Sequence, residues 1–133
     1  MSWTLQELTE FCSKPLLAVL ATTSPHGEPQ ATVVWYEFDG ESFVTTAFND
    51  RAKTRNIRHN PRVSLCVVDP KEHDRPLMVK GRAQIIEDGA EEATRRMALR
   101  YFGEEEGKRR SEQLMNRKRV IIKITPEKFL GAE

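Results

Sequence analysis

The densest concentration of chemistry-bearing side chains in this 133-residue sequence is the decapeptide RAKTRNIRHN at positions 51–60. Arg51, Lys53, Arg55 and Arg58 supply four cations within eight residues, behind a single acid, Asp50. Free backbone N–H groups at a helix start, joined by Arg and Lys side chains, make a site for phosphate. At about 100° per residue, Arg51, Arg55 and Arg58 share a stripe, while Lys53 falls on the other side beside Ile57. A lysine on the apolar side of a helix needs a partner, which makes Lys53 the centre of a candidate phosphate clamp. A solvated basic helix face is the competing reading of the same run.

A second candidate is the pair Trp35-Tyr36. Strand alternation sends the two rings to opposite faces, so at most one belongs to the core and the other meets a ligand or a second subunit. Thr45-Thr46 can present backbone groups to a planar ring, although threonines are ordinary in strands. The sequence holds no Walker loop, GxGxxG, paired-acid motif or triad signature. Cys12, Cys66, His26, His59 and His73 form no recognisable metal pattern, and two free thiols imply a reduced, cytoplasmic protein. An enzyme built from these parts relies on a bound cofactor for its chemistry.

These residues must be positioned by a small, mostly β scaffold. Thr4 and Glu7 form a capping box that opens a helix over 4–12, and Pro15 ends it. Strands are predicted at 16–22, 30–38 and 42–48, the last two paired across the FDGES turn. The cationic helix starts behind an Asn49-Asp50 cap and stops before Pro61. Strands follow at 62–69 and 77–88, the latter with Val79, Gly81, Ala83 and Ile85 on one face. Residues 90–102 read as an amphipathic helix stopped by Gly103, and a shorter, solvated helix follows. RVIIKITPEKFLG closes the sequence as a strand with Val120, Ile122 and Ile124 on one face. The order lacks βαβ periodicity, so the six strands form an antiparallel sheet that curls into a small barrel with peripheral helices.

The length fits a single domain over 1–133, and 38% apolar against 31% charged residues gives a small core that gains from a partner subunit. A net charge of +1 argues against nucleic acid as a partner. No apolar run reaches the ~18 residues of a membrane span, and the N-terminus lacks signal-peptide character.

The succession QATVVWYEFDGESFVTT, RAKTRNIRHNPRVSLCVVD and LMVKGRAQI resembles the pyridoxamine 5′-phosphate oxidase-like split-barrel superfamily. The likeness runs over roughly residues 15–130 and rests mainly on NPRVSL and V-x-G-x-A. It implies a homodimer with two cofactor sites at the subunit interface. Ala31, Tyr36, Ala52 and Pro76 depart from the oxidase's own cofactor-contacting positions, which argues against that oxidase's activity. RAKTRN is instead similar to the flavin/deazaflavin oxidoreductases that use coenzyme F420. That resemblance implies cofactor contacts from Val33, Trp35, Thr45, Thr46, Arg51, Lys53, Thr54 and Asn56, with Arg55 and Arg58 along a cationic groove. The implied activity is hydride transfer from reduced deazaflavin to a small-molecule acceptor, with Tyr36 or solvent as proton donor. FMN is the alternative cofactor, and a non-catalytic cofactor or haem carrier the alternative role.

Overall fold

The computed structural model describes residues 3–130. Gly131, the end of the last predicted strand, lies outside the described residues. Helix α1 (Leu5–Phe11) opens on the expected capping box: Thr4 Oγ1 accepts from the Glu7 amide at 3.1 Å, and the Glu7 carboxylate accepts from the Thr4 amide at 2.9 Å. Leu8 and Phe11 face inward from this helix.

Seven strands follow: β1 (Ala18–Thr23), β2 (Pro29–Val34), β3 (Glu37–Phe38), β4 (Phe43–Phe48), β5 (Arg62–Val67), β6 (Leu77–Ile86) and β7 (Arg119–Phe129). They form one antiparallel sheet in the order β2-β1-β5-β6-β7-β4-β3. Strands β2 and β3 are consecutive in the chain yet stand at opposite edges. The two residues between them carry the chain from one edge to the other, and the sheet curls into a half-barrel.

That crossing corrects the expectation of one strand over 30–38. Residues 29–34 pair with β1, and only Glu37 and Phe38 pair with β4. Two adjacent large rings cannot both be buried from one straight strand, so the backbone leaves the ladder at Trp35-Tyr36. Tyr36 becomes fully buried in the core. Trp35 turns the other way, beneath helix α3 (Ala90–Phe102). The described residues therefore form seven strands rather than six.

The barrel interior follows the period-2 pattern. Leu77, Val79 and Ala83 are buried on β6, and Val120, Ile122 and Ile124 on β7. Gly81 sits at a register shift where a Cβ would come within 2.3 Å of the Thr125 carbonyl oxygen, so a glycine is required for the two strands to pack. On the outer face, Ala93 and Met97 of α3 pack against Val44, Ile121 and Trp35. Gly103 (φ 83°) ends α3, and α4 (Glu104–Gln113) leads to a 3-10 turn at Leu114–Asn116.

Candidate functional site

Helix α2 (Ala52–His59) is anchored by the polar residues of its own motif. Buried Thr54 donates from its hydroxyl to the Phe48 carbonyl at 2.9 Å. Asn56 donates from Nδ2 to Thr22 Oγ1 at 3.0 Å and Gln30 Oε1 at 3.1 Å, tying the helix to β1 and β2. Ile57 seats in the core. Thr54 and Asn56 thus fix the helix rather than line a cavity beside Lys53.

The N-cap is Arg51, not Asn49 or Asp50, and no side chain caps it. Its extended backbone (φ −69°, ψ 151°) takes it off the helical wheel, which removes it from the stripe shared with Arg55 and Arg58. Arg55 folds back onto the Asp50 carbonyl, and Arg58 onto Asn49 Oδ1 at 2.7 Å. Arg51 and half-buried Lys53 instead line one cavity of about 220 Å³.

The third cation of that cavity is Arg119, which sequence reasoning missed. It is 9% exposed, and its hydrogen-bond partners are hydroxyls: Thr94 Oγ1 and Thr46 Oγ1, each at 2.9 Å. None of the residues lining the cavity is acidic. Burial, with the Arg51 and Arg117 charges adding to it, lowers the Arg119 guanidinium to about 10. Burial likewise pulls Lys53 below its ordinary value, helped by Arg51 and Arg119; its ammonium reaches only a 3.4 Å contact with Thr32 Oγ1. Three cations thus converge on one cavity, and the hydrogen-bond contacts of Arg119 and Lys53 are to threonine hydroxyls.

Apart from Thr46, the remaining walls are apolar, among them Leu17, Val33, Trp35, Ala47, Phe48 and Leu114. Trp35 stacks on Tyr101 (centroids 5.8 Å apart, 20° between planes) and meets Phe102 edge-on at 5.3 Å. The Tyr101 hydroxyl donates to the Leu16 carbonyl at 2.7 Å and accepts from the Tyr36 amide at 3.0 Å. One side chain therefore holds the backbone next to both Leu17 and Trp35. Trp35 is half-buried beneath its own helix.

Of the residues singled out in the sequence, Val33, Trp35, Thr46, Arg51 and Lys53 meet around this cavity. Thr45 does not: it is 1% exposed and faces the barrel interior, in register with Ile122. Tyr36 is also excluded as a proton donor at this cavity. Its hydroxyl is buried in the core beside Cys12, and burial raises its pKa well above the ordinary tyrosine value. The signal for Arg119 was non-local: its register opposite Phe48 depends on pairing β4 with a strand about seventy residues later. Among the described residues no group of His, Cys, Asp and Glu could hold a metal ion, and no helix is long and apolar enough to cross a membrane.

A curled antiparallel sheet with a cationic cavity beside its edge strand has the architecture of a split barrel. The chain belongs to the pyridoxamine 5′-phosphate oxidase family, which it matches over residues 4–131. It is similar to an F420 reductase at 31% identity, with a TM-score of 0.76 over 91% of this chain and 94% of that one. It is also similar to the conserved hypothetical protein Rv2991 of Mycobacterium tuberculosis, at 30% identity and a TM-score of 0.77 over 97% and 84% of the two chains. The haem storage protein HutZ of Vibrio cholerae shares the fold at 19% identity, TM-score 0.72, over 95% and 92%.

Proposed function

We propose that this protein is an oxidoreductase that binds coenzyme F420 and reduces a small-molecule acceptor. The observation that carries the reading is Arg119, a buried cation with hydroxyl partners, converging with Arg51 and Lys53 on one cavity. Such a group is stabilised when an anion joins it, and a cofactor phosphate is an anion of the required charge. The similarity to a protein named F420 reductase supports deazaflavin over FMN.

Lys53, Arg51 and Arg119 hold the phosphate. Val33, Leu17 and Trp35 offer an apolar surface against which a planar ring lies, and Tyr101 keeps that surface in place. When bound, the deazaflavin supplies a hydride to the acceptor. The protein contributes orientation and a site from which water is displaced.

A homodimer belongs to the same proposal. Val19 (40% exposed) and Val33 (63% exposed) are cross-strand partners on the outer face of the sheet, with Cys66 beside Val19 and exposed Val68 following. The cavity of a single chain, about 220 Å³, falls below the roughly 300–1,000 Å³ of small-molecule sites. A second copy on the valine face adds a wall at Val33, which belongs to both features.

Titrating the purified protein with coenzyme F420 and with FMN tests the cofactor, and following oxidation of the reduced deazaflavin with candidate acceptors tests the reaction. Tighter deazaflavin binding is expected. Nanomolar FMN affinity with no measurable deazaflavin binding overturns the assignment.

A further inference from the structure

We infer that residues 104–116 form a lid on the cavity, moving as one body about Gly103 and Arg117 to admit a ligand and returning to lay Leu114 against it. This rests on the anion-binding reading of the cavity and extends it to how the site opens and closes. Helix α4 has no apolar side chain in its sequence EEEGKRRSEQ, and its buried residues are Gly107 and Ser111. So short a helix is marginal in water by itself, and one that is polar all round gains little from docking. Among the described residues, the hydrogen bonds of its side chains stay inside the helix. Arg109 and Arg110 both pair with the Glu106 carboxylate, and Ser111 donates to the Lys108 carbonyl at 2.9 Å. The helix keeps these bonds when it leaves its seat.

That seat is α3. Gly107 lies against the Ala98–Leu99 backbone, and the Arg110 guanidinium carbon stands 4.1 Å from the Phe102 ring centroid. The elements on either side are tied down firmly. Helix α3 is held by Arg96 on the Glu37 carboxylate and by Arg100 on the carbonyls of Cys12 and Lys14. Beyond the segment, the Lys118 carbonyl accepts from the Asn49 amide at 2.9 Å as β7 begins. Gly103 joins α3 to α4 at φ 83°, ψ 178°, a conformation that in practice only glycine adopts. A Cβ there would meet nothing within 4 Å, so backbone conformation and not packing accounts for the glycine. At the other end Arg117 is extended (φ −144°, ψ 160°). A weakly seated rigid body thus lies between two fixed elements with a joint at each end.

The far end of this body is where it matters for the site. Leu114 lines the cavity of about 220 Å³, while Met115 and Asn116 line a neighbouring cleft of about 790 Å³, and Arg119 is a wall of both. The 3-10 turn at Leu114–Asn116 is therefore a partition between the two spaces. Swinging it aside joins them and opens a way in to Arg119. Returning it excludes water beside Arg51, Lys53 and Arg119, which strengthens their attraction for a bound anion. Closure and anion binding consequently favour each other: the ligand shifts the segment toward the closed form by as much as it prefers that form.

Hydrogen–deuterium exchange of the full chain, read by mass spectrometry, tests this with inorganic phosphate, whose binding is measured in parallel by titration calorimetry. In the free protein, amides of 104–116 are expected to exchange at least about tenfold faster than those of α3. Phosphate at a hundredfold excess over Kd should slow 104–116 by about tenfold or more and leave α1 unchanged. Gly103→Ala should speed exchange in 104–116 and weaken phosphate binding without changing exchange in the sheet. Lys53→Gln should weaken phosphate binding while leaving the opening of the free protein as it was. Exchange in 104–116 as slow as in α3 overturns the lid. So does phosphate that binds by calorimetry without slowing that segment, or a Gly103→Ala variant that loosens sheet and helix alike, and in each case the anion site stands. Failure of phosphate to bind overturns the anion-binding reading and the closing of the lid with it.

Discussion

Replacing Arg119 by methionine keeps the volume of the side chain and removes its charge, so it separates an anion-binding role from a structural one. The guanidinium is held at about 10 against an ordinary 12.5, first by burial and then by Arg51 and Arg117. At roughly 1.4 kcal/mol per pKa unit, charging it in the folded protein costs at most about 3 kcal/mol. Against that stand the hydrogen bonds to Thr94 and Thr46, worth about 1 kcal/mol each. Those two hydroxyls keep partners without the arginine: Thr94 Oγ1 donates to the Ala90 carbonyl at 2.7 Å and lies 3.1 Å from Thr46 Oγ1. The balance favours the variant by about 1 kcal/mol, which raises Tm by roughly 3–5 °C in a domain of this size. The same variant loses stabilisation by phosphate, which in the unmodified protein reaches about 2.7 kcal/mol at a hundredfold excess over Kd. Thermal unfolding with and without phosphate reads both effects. A Tm that falls by several degrees while the phosphate-induced rise persists refutes the reasoning and makes Arg119 a tie between β7, β4 and α3.

Lys53→Ala should weaken F420 binding by roughly 10- to 150-fold in a fluorescence titration, the range of one lost charge-assisted hydrogen bond. Glu7, paired with Arg75 at 3.0 Å, is held at about 2 against a usual 4.5. Its depressed value contributes stability that is present above pH 4.5 and lost as pH falls toward 2; Glu7→Gln should flatten that part of an acid-unfolding curve measured by circular dichroism. Val33→Glu, at a 63% exposed position, should leave the fold intact and shift sedimentation velocity from dimer to monomer. Gly107→Val should lower both Tm and F420 affinity. A Cβ there would lie 2.6 Å from the Ala98 carbonyl oxygen, so α4 must move and draw Leu114 away from the cavity, at a cost of about 1–3 kcal/mol.

The parts of this fold that local chemistry specifies were legible in the sequence. The Thr4–Glu7 capping box, the helix between Ala90 and Gly103, and the alternation of Val120, Ile122 and Ile124 needed only neighbouring residues. The break at Trp35-Tyr36 was not legible, because alternation placed the two rings on opposite faces without showing that the backbone leaves the ladder to bury Tyr36 and set Trp35 beneath α3. At the site, Arg51 and Lys53 stood out by density of charge. Thr54 and Asn56 lie in the same motif, and their hydrogen bonds to Phe48, Thr22 and Gln30 could not be read from it. Arg119 reaches the cavity through a pairing that joins distant parts of the chain, which no local pattern encodes.

The place of β7 in the sheet has a consequence for how the chain emerges from the ribosome. This strand is made after the other six, yet it lies between β6 and β4 and is the partner of both. Until residues beyond 118 have left the exit tunnel, the sheet exists as two unjoined pieces: β2-β1-β5-β6 on one side and the short β3-β4 hairpin on the other. Each piece then presents an unpaired edge that can recruit a foreign strand. Translation that stalls or terminates early would release a nascent chain with both edges open and without Arg119. Docking of the final strand seals both edges and delivers the third cation to its cavity in a single event.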